Sequence, residues 1–183
     1  MKFIRQSIPD VVLIEPKVHG DDRGYFVETF RQDLFEESIG YKVNFIQDNE
    51  SKSTKGVLRG LHYQLPPYAQ AKLVKAIEGT VLDVAVDIRK DSKTFGHYVS
   101  VILSSENKNQ LFIPRGFAHG FVTLSDTAIF AYKTDNYFSP KHDRGVAYND
   151  EHLAIDWLVE EGDLQLSKKD KNSPSFLNSE LTF

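Results

Sequence analysis

Five side chains that can carry a proton or a positive charge lie on predicted strands or directly beside them: Arg59, His62, Lys72, His119 and Tyr132. A lone histidine on a strand bordered by apolar residues is more often a hydrogen-bonded core residue than a catalytic base. The presence of the other four side chains favours a functional role for His62 over a purely structural one. Cations and phenols are costly inside a β-protein unless its interior is a wet pocket that receives an anionic ligand. The set therefore predicts a polar pocket of this kind.

The alternation of residues around His62 predicts which side chains share a face of its strand. In a regular strand, successive side chains point to opposite faces. Arg59 would then share a face with Leu61 and Tyr63, whereas His62 would point to the opposite face. Simple alternation thus separates Arg59 from His62.

The segment Pro114–His119 has the pattern P-x-G-x-x-H and lies between two predicted strands, Gln110–Ile113 and Gly120–Leu124. Proline and glycine mark turns in any β-protein, so the pattern alone fits a turn followed by a surface histidine equally well. It also resembles the second sequence motif of the cupins, which are jelly-roll barrels. In that resemblance, His119 follows the turn and points into the mouth of the barrel.

The histidine content argues against a metal centre in this pocket. Metal-binding cupins add an H-x-H-x(3,4)-E cluster from an earlier strand, and three imidazoles with a carboxylate suit a first-row divalent metal. Here the earlier position, Gly60–Gln64, contains His62 but no second histidine at +2 and no glutamate soon after. His97 and His142 lie in a different predicted strand and in a loop. We therefore expect no metal and no other cofactor.

The remaining elements are predicted to be mostly β-structure. Gln32–Ile39 is the best helix candidate, and Gly40 is its expected C-terminal stop. Runs rich in β-formers, separated by turn residues, are Val11–Glu15, Tyr25–Phe30, Lys72–Ile77, Thr80–Ile88, His97–Leu103, Gln110–Ile113, Gly120–Leu124 and Ala128–Thr134. Many short strands with few helices indicate a sandwich or barrel. Together with the cupin-like segment, they favour an all-β cupin jelly-roll barrel with a few short peripheral helices.

Length and composition limit the class of protein. At 183 residues, with a formal net charge of −4 and no cysteine, the chain is expected to form one domain over residues 1–183. The lack of cysteine excludes disulfides and thiolate catalysis and is compatible with a cytoplasmic location. The spread, mildly acidic charge disfavours a nucleic-acid partner. The sequence has no signal-peptide pattern and no run of ~20 apolar residues, so we expect no membrane partner.

Eight motifs span almost the whole chain, from about Ile8 to Asp170. They are D-x-R-G-x-F-x-E at Asp21–Glu28, Q-D-N-x-S at Gln47–Ser51, G-V-L-R-G-L-H-x-Q at Gly56–Gln64, K-L-V at Lys72–Val74, D-V-x-V-D-x-R at Asp83–Arg89, I-P-x-G-F-A-H-G-F at Ile113–Phe121, Y-K at Tyr132–Lys133 and N-D-x-x-L-x-I-x-W at Asn149–Trp157. In this combination the sequence resembles the dTDP-4-dehydrorhamnose 3,5-epimerase family.

The resemblance implies an isomerase that converts dTDP-4-dehydro-6-deoxy-D-glucose to dTDP-4-dehydro-L-rhamnose. The C4 ketone acidifies the protons at C3 and C5, so the reaction needs a base, a stabilised enolate and an acid on the opposite face. By similarity, His62 is the base and Asp170 its carboxylate partner. Lys72 would stabilise the enolate and Tyr132 would return the proton. Without the resemblance, Asp170 lies in a charged run that is typical of a solvated tail.

The resemblance also implies how the nucleotide is bound. Arg23 and Arg59 would bind the diphosphate, because guanidinium groups match phosphate oxygens. The other implied substrate-binding residues are Glu28, Gln47, Asp48, Asn49, His119, Asp143 and Lys168. In the family, the segment Arg23–Glu28 crosses to the neighbouring subunit. We therefore expect a homodimer.

Three alternative functions stay open. Family members often have two tyrosines before the S/A-P turn, where this chain has Tyr137 followed by Phe138. The missing hydroxyl leaves open an epimerase that inverts only C3 or C5 of a related nucleotide 4-keto sugar. The second alternative is a non-catalytic cupin module that binds sugars or nucleotides, and the third is a metal-dependent oxygenase. A binding module would not need His62, Lys72 and Tyr132 together, and the oxygenase lacks its histidine cluster.

Overall fold

Two antiparallel β-sheets face each other in the computed structural model, which describes residues 1–183. Sheet 1 has the strand order β1-β2-β10-β7-β12-β5, sheet 2 has the order β13-β6-β11-β8-β9, and β3 and β4 form a separate hairpin. The strands are β1 Lys2–Arg5, β2 Val12–Glu15, β3 Val18–Asp21, β4 Gly24–Val27, β5 Gln47–Thr54, β6 Leu58–Gln64, β7 Lys72–Glu78, β8 Thr80–Asp87, β9 Tyr98–Ser104, β10 Gln110–Ile113, β11 Phe117–Thr123, β12 Thr127–Thr134 and β13 Asp143–Gly145. The helices are α1 Gln32–Ile39 and the single turn α2 Lys168–Lys171, with 3₁₀ turns at Glu161–Asp163 and Phe176–Asn178. The predicted all-β jelly roll with few short helices is confirmed.

Most of the predicted elements agree with this structure, but the predicted strand Tyr25–Phe30 ends at Val27, and β1, β3 and β13 were not predicted. The helix has the predicted bounds, and Gly40 ends it in a left-handed conformation with φ of 87°. Strand β11 begins at Phe117 rather than Gly120, so His119 lies inside the strand and not in the preceding turn. Strand β5 was not predicted, because its sequence QDNESKST has no apolar alternation.

Three apolar layers hold the two sheets in place. The interior between the sheets is filled by residues such as Val74, Phe121 and Phe130. Outside sheet 1, helix α1 packs Phe35 against Phe112. Outside sheet 2, the segment after β13 covers the apolar face of β8. As a result, the polar face of β8 is the one that points between the sheets.

A β-bulge in β6 brings Arg59 and His62 to the same face of the sheet. His119 on β11 pairs with His62, but Phe121, two residues later, pairs with Arg59, so β6 carries one extra residue between them. The alternation expected from the sequence is therefore wrong at this point. Gly60 adopts φ of 138° inside the bulge, and a Cβ there would lie 2.4 Å from the Cα of Gly120. The bulge thus depends on the close approach of two glycines.

The β3–β4 hairpin extends away from the two sheets. The exposed fractions of Tyr25 and Phe26 are 60% and 70%, although the Tyr25 ring also contacts the Lys108 ammonium at 4.5 Å. Strand β4 thus has one unpaired edge and exposes two aromatic side chains. None of the helices has the length and apolar character needed to cross a membrane.

Candidate active site

A cavity of about 270 Å³ opens between the two sheets. The side chains that line it come from both sheets and from α2, and they are Glu50, Ser51, Arg59, His62, Lys72, His119, Phe121, Phe130, Tyr132, Ser167, Lys169 and Asp170. All four predicted catalytic residues, His62, Lys72, Tyr132 and Asp170, therefore meet in this one cavity.

His62 and Asp170 form a hydrogen-bonded pair, with Nε2 of His62 2.5 Å from Oδ1 of Asp170. Ser167 caps α2 by accepting the Asp170 N–H, and its hydroxyl donates to the other carboxylate oxygen at 2.8 Å. Burial opposes the ionisation of Asp170, but the hydrogen bonds from His62 and Ser167 outweigh burial and lower its pKa. A carboxylate on Nε2 fixes the tautomer and leaves Nδ1 as the nitrogen that can accept a proton. The predicted solvated tail is instead a capped turn in which Asp170 is only 4% exposed.

Lys72 enters the cavity from β7 without an acidic partner. Its ammonium is buried and donates no hydrogen bond to another side chain, so the other charged groups act on it only from a distance. Burial lowers the pKa of Lys72 to about 8, and the charges of Asp83 and Asp143 act in the opposite direction. An unpaired ammonium in a buried site can stabilise negative charge that develops on a bound ligand.

Tyr132 faces the cavity from β12, in the sheet opposite to that of His62. Burial raises the pKa of its phenol, while the charge of Arg59 partly opposes this effect. The hydroxyl therefore remains protonated at neutral pH. A base and an acid presented by opposite sheets can act on opposite faces of a ligand held between them.

His119 is paired with a second buried carboxylate. Its Nε2 lies 2.9 Å from Oδ2 of Asp83, and both residues are buried. Burial lowers the pKa of His119, although the charge and hydrogen bond of Asp83 act against that shift. The imidazole also stacks on Phe130, with 6.1 Å between ring centroids. His119 thus forms a fixed, neutral part of the wall.

Arg59 supplies the second unpaired positive charge of the cavity. Its guanidinium donates to the hydroxyl of Ser53 at 3.1 Å and, at 3.4 Å, to the carbonyl of Lys52, but to no carboxylate. Lys169, in contrast, is neutralised by an ion pair with Asp143. The cavity therefore keeps two cations, Arg59 and Lys72, available for an anionic ligand.

Four of the predicted substrate-binding residues lie at the edge of the cavity or outside it: Gln47, Asp48, Asn49 and Lys168. Gln47 and Asn49 are hydrogen-bonded to each other on β5, and the Gln47 amide oxygen accepts the N–H of Phe138. Asp48 lies between them in sequence and, by strand alternation, points to the outer face of sheet 1, where it pairs with Lys133. Asp48 therefore does not line this cavity, and its contact with the nucleotide stays a prediction. The exposed Lys168 begins α2, and the neighbouring Lys169 lines the cavity in its place.

Arg23 and Glu28 are remote from the cavity of their own chain. Arg23 lies at the tip of the β3–β4 hairpin, where its side chain is 89% exposed and pairs only with Asp21. Glu28 follows β4 and is likewise exposed. Within one chain, these two predicted binding residues do not reach the site.

Six lining residues were not predicted: Glu50, Ser51, Phe121, Phe130, Ser167 and Lys169. Ser51 and Phe130 have the same strand parity as Asn49 and Tyr132, so alternation could have identified them. Ser167 lies three residues before Asp170 and has the residue type of an N-cap, but it could be identified as one only if the short helix α2 were already known. Glu50 and Lys169 carry no such signal in the sequence.

Comparison with known proteins identifies the family. The family model described as dTDP-4-dehydrorhamnose 3,5-epimerase matches residues 5–178. The dTDP-4-dehydrorhamnose 3,5-epimerase of Shigella flexneri is 57% identical over 180 residues, which cover 98% of each chain.

Two solved structures are similar over almost their full length. The dTDP-4-dehydrorhamnose 3,5-epimerase of Elizabethkingia anophelis NUHP1 has a TM-score of 0.95 and 50% identity, covering 100% of this chain and 99% of its own. The dTDP-6-deoxy-D-glucose-3,5-epimerase of Legionella pneumophila Philadelphia 1, solved with dTDP-4-keto-L-rhamnose, has a TM-score of 0.93 and 50% identity, covering 97% and 93%. With a cavity that joins a histidine–carboxylate pair, a free ammonium and a protonated tyrosine, the chain belongs to the dTDP-4-dehydrorhamnose 3,5-epimerase family of isomerases.

Proposed function

We propose that this epimerase inverts C3 and C5 of dTDP-4-dehydro-6-deoxy-D-glucose with His62 as base, Lys72 as enolate stabiliser and Tyr132 as acid. The observation that carries the proposal is the position of His62 and Tyr132 on opposite sheets of one cavity that also holds the unpaired Lys72. The Legionella relative was solved with dTDP-4-keto-L-rhamnose, which is the product of this reaction.

The proposed proton path is the same at each carbon. Nδ1 of His62 takes the proton from C3, and the electron pair of the C–H bond moves to the C4 oxygen. Lys72 stabilises the resulting enolate, while the Asp170 carboxylate stabilises the imidazolium. Tyr132 then delivers its hydroxyl proton to the opposite face of the carbon. His62 then releases its proton to solvent and Tyr132 regains one from solvent, which restores both groups. The same steps at C5 complete the reaction with no change in oxidation state.

The nucleotide half of the substrate would extend from the cavity towards β5. Arg59 is the cation that would bind the diphosphate, because it is unpaired and lies on the same face as His62. Gln47 and Asn49 supply amide groups for hydrogen bonds to the base, and the half-exposed Phe138 beside them supplies an aromatic face. Asp143 lies behind Lys169 and would set the position of that ammonium at the rim.

A homodimer would complete the site. The β3–β4 hairpin exposes Phe26, and the side chain of Arg23 at its tip pairs only with Asp21 of the same hairpin. We propose that the hairpin crosses to a second copy, so that Arg23 and Glu28 reach the nucleotide in the partner's cavity. The chain would act in the cytoplasm, and its lack of cysteine is compatible with that compartment.

Solvent exchange tests the proposed roles. In deuterated water, His62→Ala should lose both deuterium uptake and turnover, since a missing general base costs ~10²–10⁴-fold. Tyr132→Phe should still exchange deuterium without inversion, because the base can return a deuteron to the same face. Tyr137→Phe, in an exposed tyrosine, is the matched control. Inversion of both carbons by Tyr132→Phe at the wild-type rate would show that Tyr132 is not the acid.

A further inference from the structure

We propose that Asp83 is a positioning residue of the epimerisation, whose buried carboxylate orients His119 and holds Lys72 in its ammonium form. Asp83 does not line the cavity itself but lies behind the cavity wall, on the interior face of β8. The inference deepens the proposed function, because it rests on the role of Lys72 as the group that stabilises the enolate.

The two buried aspartates of β8 have different surroundings, although both are 0% exposed. Asp87 is saturated: Arg89, Ser92 and Thr94 all donate to its carboxylate. In Asp83 only Oδ2 is bonded, to His119, and Oδ1 has no hydrogen-bond partner. An unsatisfied buried carboxylate oxygen is rare and costly, and it calls for an explanation. Asp83 has no guanidinium to neutralise it, so its charge acts on the groups of the cavity.

Lys72 is the cation on which this charge acts. The charged and titratable groups around its ammonium are Asp83 on β8, His119 on β11, Asp143 on β13 and Lys169 on α2, with Glu50, Arg59, His62, Tyr132 and Asp170 on the remaining walls. Burial lowers the pKa of Lys72, and Asp83 is the strongest of the charges that raise it. The other carboxylate in this role, Asp143, is already paired with Lys169. Asp83 is thus the main unneutralised counter-charge of Lys72.

The bond to His119 gives Asp83 a second effect. A carboxylate that accepts from Nε2 fixes one tautomer of the imidazole, and the stack on Phe130 fixes the plane of the ring. Burial keeps this imidazole neutral. The positive charge beside the sugar is therefore confined to Lys72 and Arg59.

The test compares Asp83→Asn with Asp87→Asn, a matched change at the other buried aspartate of the same strand. In Asp83→Asn, the alkaline limb of the pH profile of kcat should move down by about one pH unit, since a lost opposite charge shifts a pKa by ~1–3 units. On that limb the rate should fall about tenfold further than at about pH 6, where any remaining loss comes from the altered orientation of His119. Asp87→Asn should lower the thermal midpoint but leave the limb in place. An Asp83→Asn profile reduced equally at every pH would overturn the proposal.

A direct titration separates this proposal from the proposed mechanism. The ¹⁵Nζ signal of Lys72, identified by its loss in Lys72→Arg, should titrate at lower pH in Asp83→Asn than in wild type. An unchanged titration overturns the role of Asp83. A shifted titration with an unshifted kcat limb supports Asp83 as the counter-charge and instead contradicts the role of Lys72 in the reaction. Should Asp83→Asn not fold, Asp83→Glu must retain the wild-type limb, and a limb displaced downwards would contradict the proposal.

Discussion

Replacement of Asp170 by asparagine should slow the reaction without unfolding the site. The variant keeps the shape of the side chain but removes the charge that lies 2.5 Å from Nε2 of His62. A hydrogen bond to a charged group is worth ~1.5–3 kcal/mol, which corresponds to about 10- to 150-fold in rate. Because Asp170 is only 4% exposed, we expect the upper part of this range. That range covers the lost charge alone; an amide that donates to Nε2 also places the proton on Nδ1 and blocks the base, which raises the total expected loss to ~10⁴-fold.

The assay is deuterium uptake at C3 and C5, read by NMR alongside net conversion. Both should fall by the same factor in Asp170→Asn, because enolate formation precedes both. Ser167→Ala is the comparison variant: it removes the hydroxyl that donates to the same carboxylate but keeps the charge and its bond to His62, so the expected loss is smaller than in Asp170→Asn. Equal losses in the two variants would show that the charge of Asp170 does not assist His62. An Asp170→Asn enzyme within twofold of wild type, on the scale of ~0.4 kcal/mol, would refute the pair altogether.

Two further predictions concern the backbone beside the site and the second subunit. Gly120→Ala would bring a Cβ to 3.0 Å from the Arg59 carbonyl oxygen, and such overpacking should destabilise the fold by ~1–3 kcal/mol, measured by thermal melts. Gly162→Ala is the control, because a Cβ there would have no atom within 4 Å, and its melting temperature should change little. Equal melting temperatures of the two variants would contradict the tight contact at Gly120. A mixture of Arg23→Ala and His62→Ala chains, refolded together and assayed below KM, should recover about a quarter of wild-type activity, because half of the dimers are mixed and each has one intact site. A mixture no more active than the mean of its parents would contradict the crossing hairpin.

The sequence predicts those parts of the fold and site that depend on local pattern. Helix α1 and strand β10 have their predicted bounds, because the amphipathic period and a C-terminal glycine are local signals. Strand β5 escaped prediction because its stability comes from pairing with β12 along its whole length, not from its own apolar residues.

The site residues also divide into those that local pattern predicts and those that only tertiary contacts determine. His62 and Tyr132 were selected as side chains on strands, whereas Asp170 was selected only through the family resemblance, since its burial depends on the contact of a four-residue turn with β6. The outward position of Asp48 on β5 was not predicted, because a motif does not report which face of a strand each residue occupies. Arg59 and His62 were assigned to opposite faces because alternation fails at a bulge. Local sequence patterns thus do not predict the contacts between segments that are distant along the chain.

The extra residue in β6 also makes the site depend on keeping the bulge at this strand length. On the two sides of Gly60, Leu58 and Leu61 both pack outward while Arg59 and His62 both face the cavity. Arg59 and His62 are three residues apart, so a strand of the same length with regular alternation would rotate either the guanidinium or the imidazole out of the cavity. Deleting Gly60 would leave them two residues apart, so both side chains would keep a common face even without a bulge. A side chain at Gly60, whose Cβ would lie 2.4 Å from the Cα of Gly120, should therefore lower activity more than deletion of that residue does.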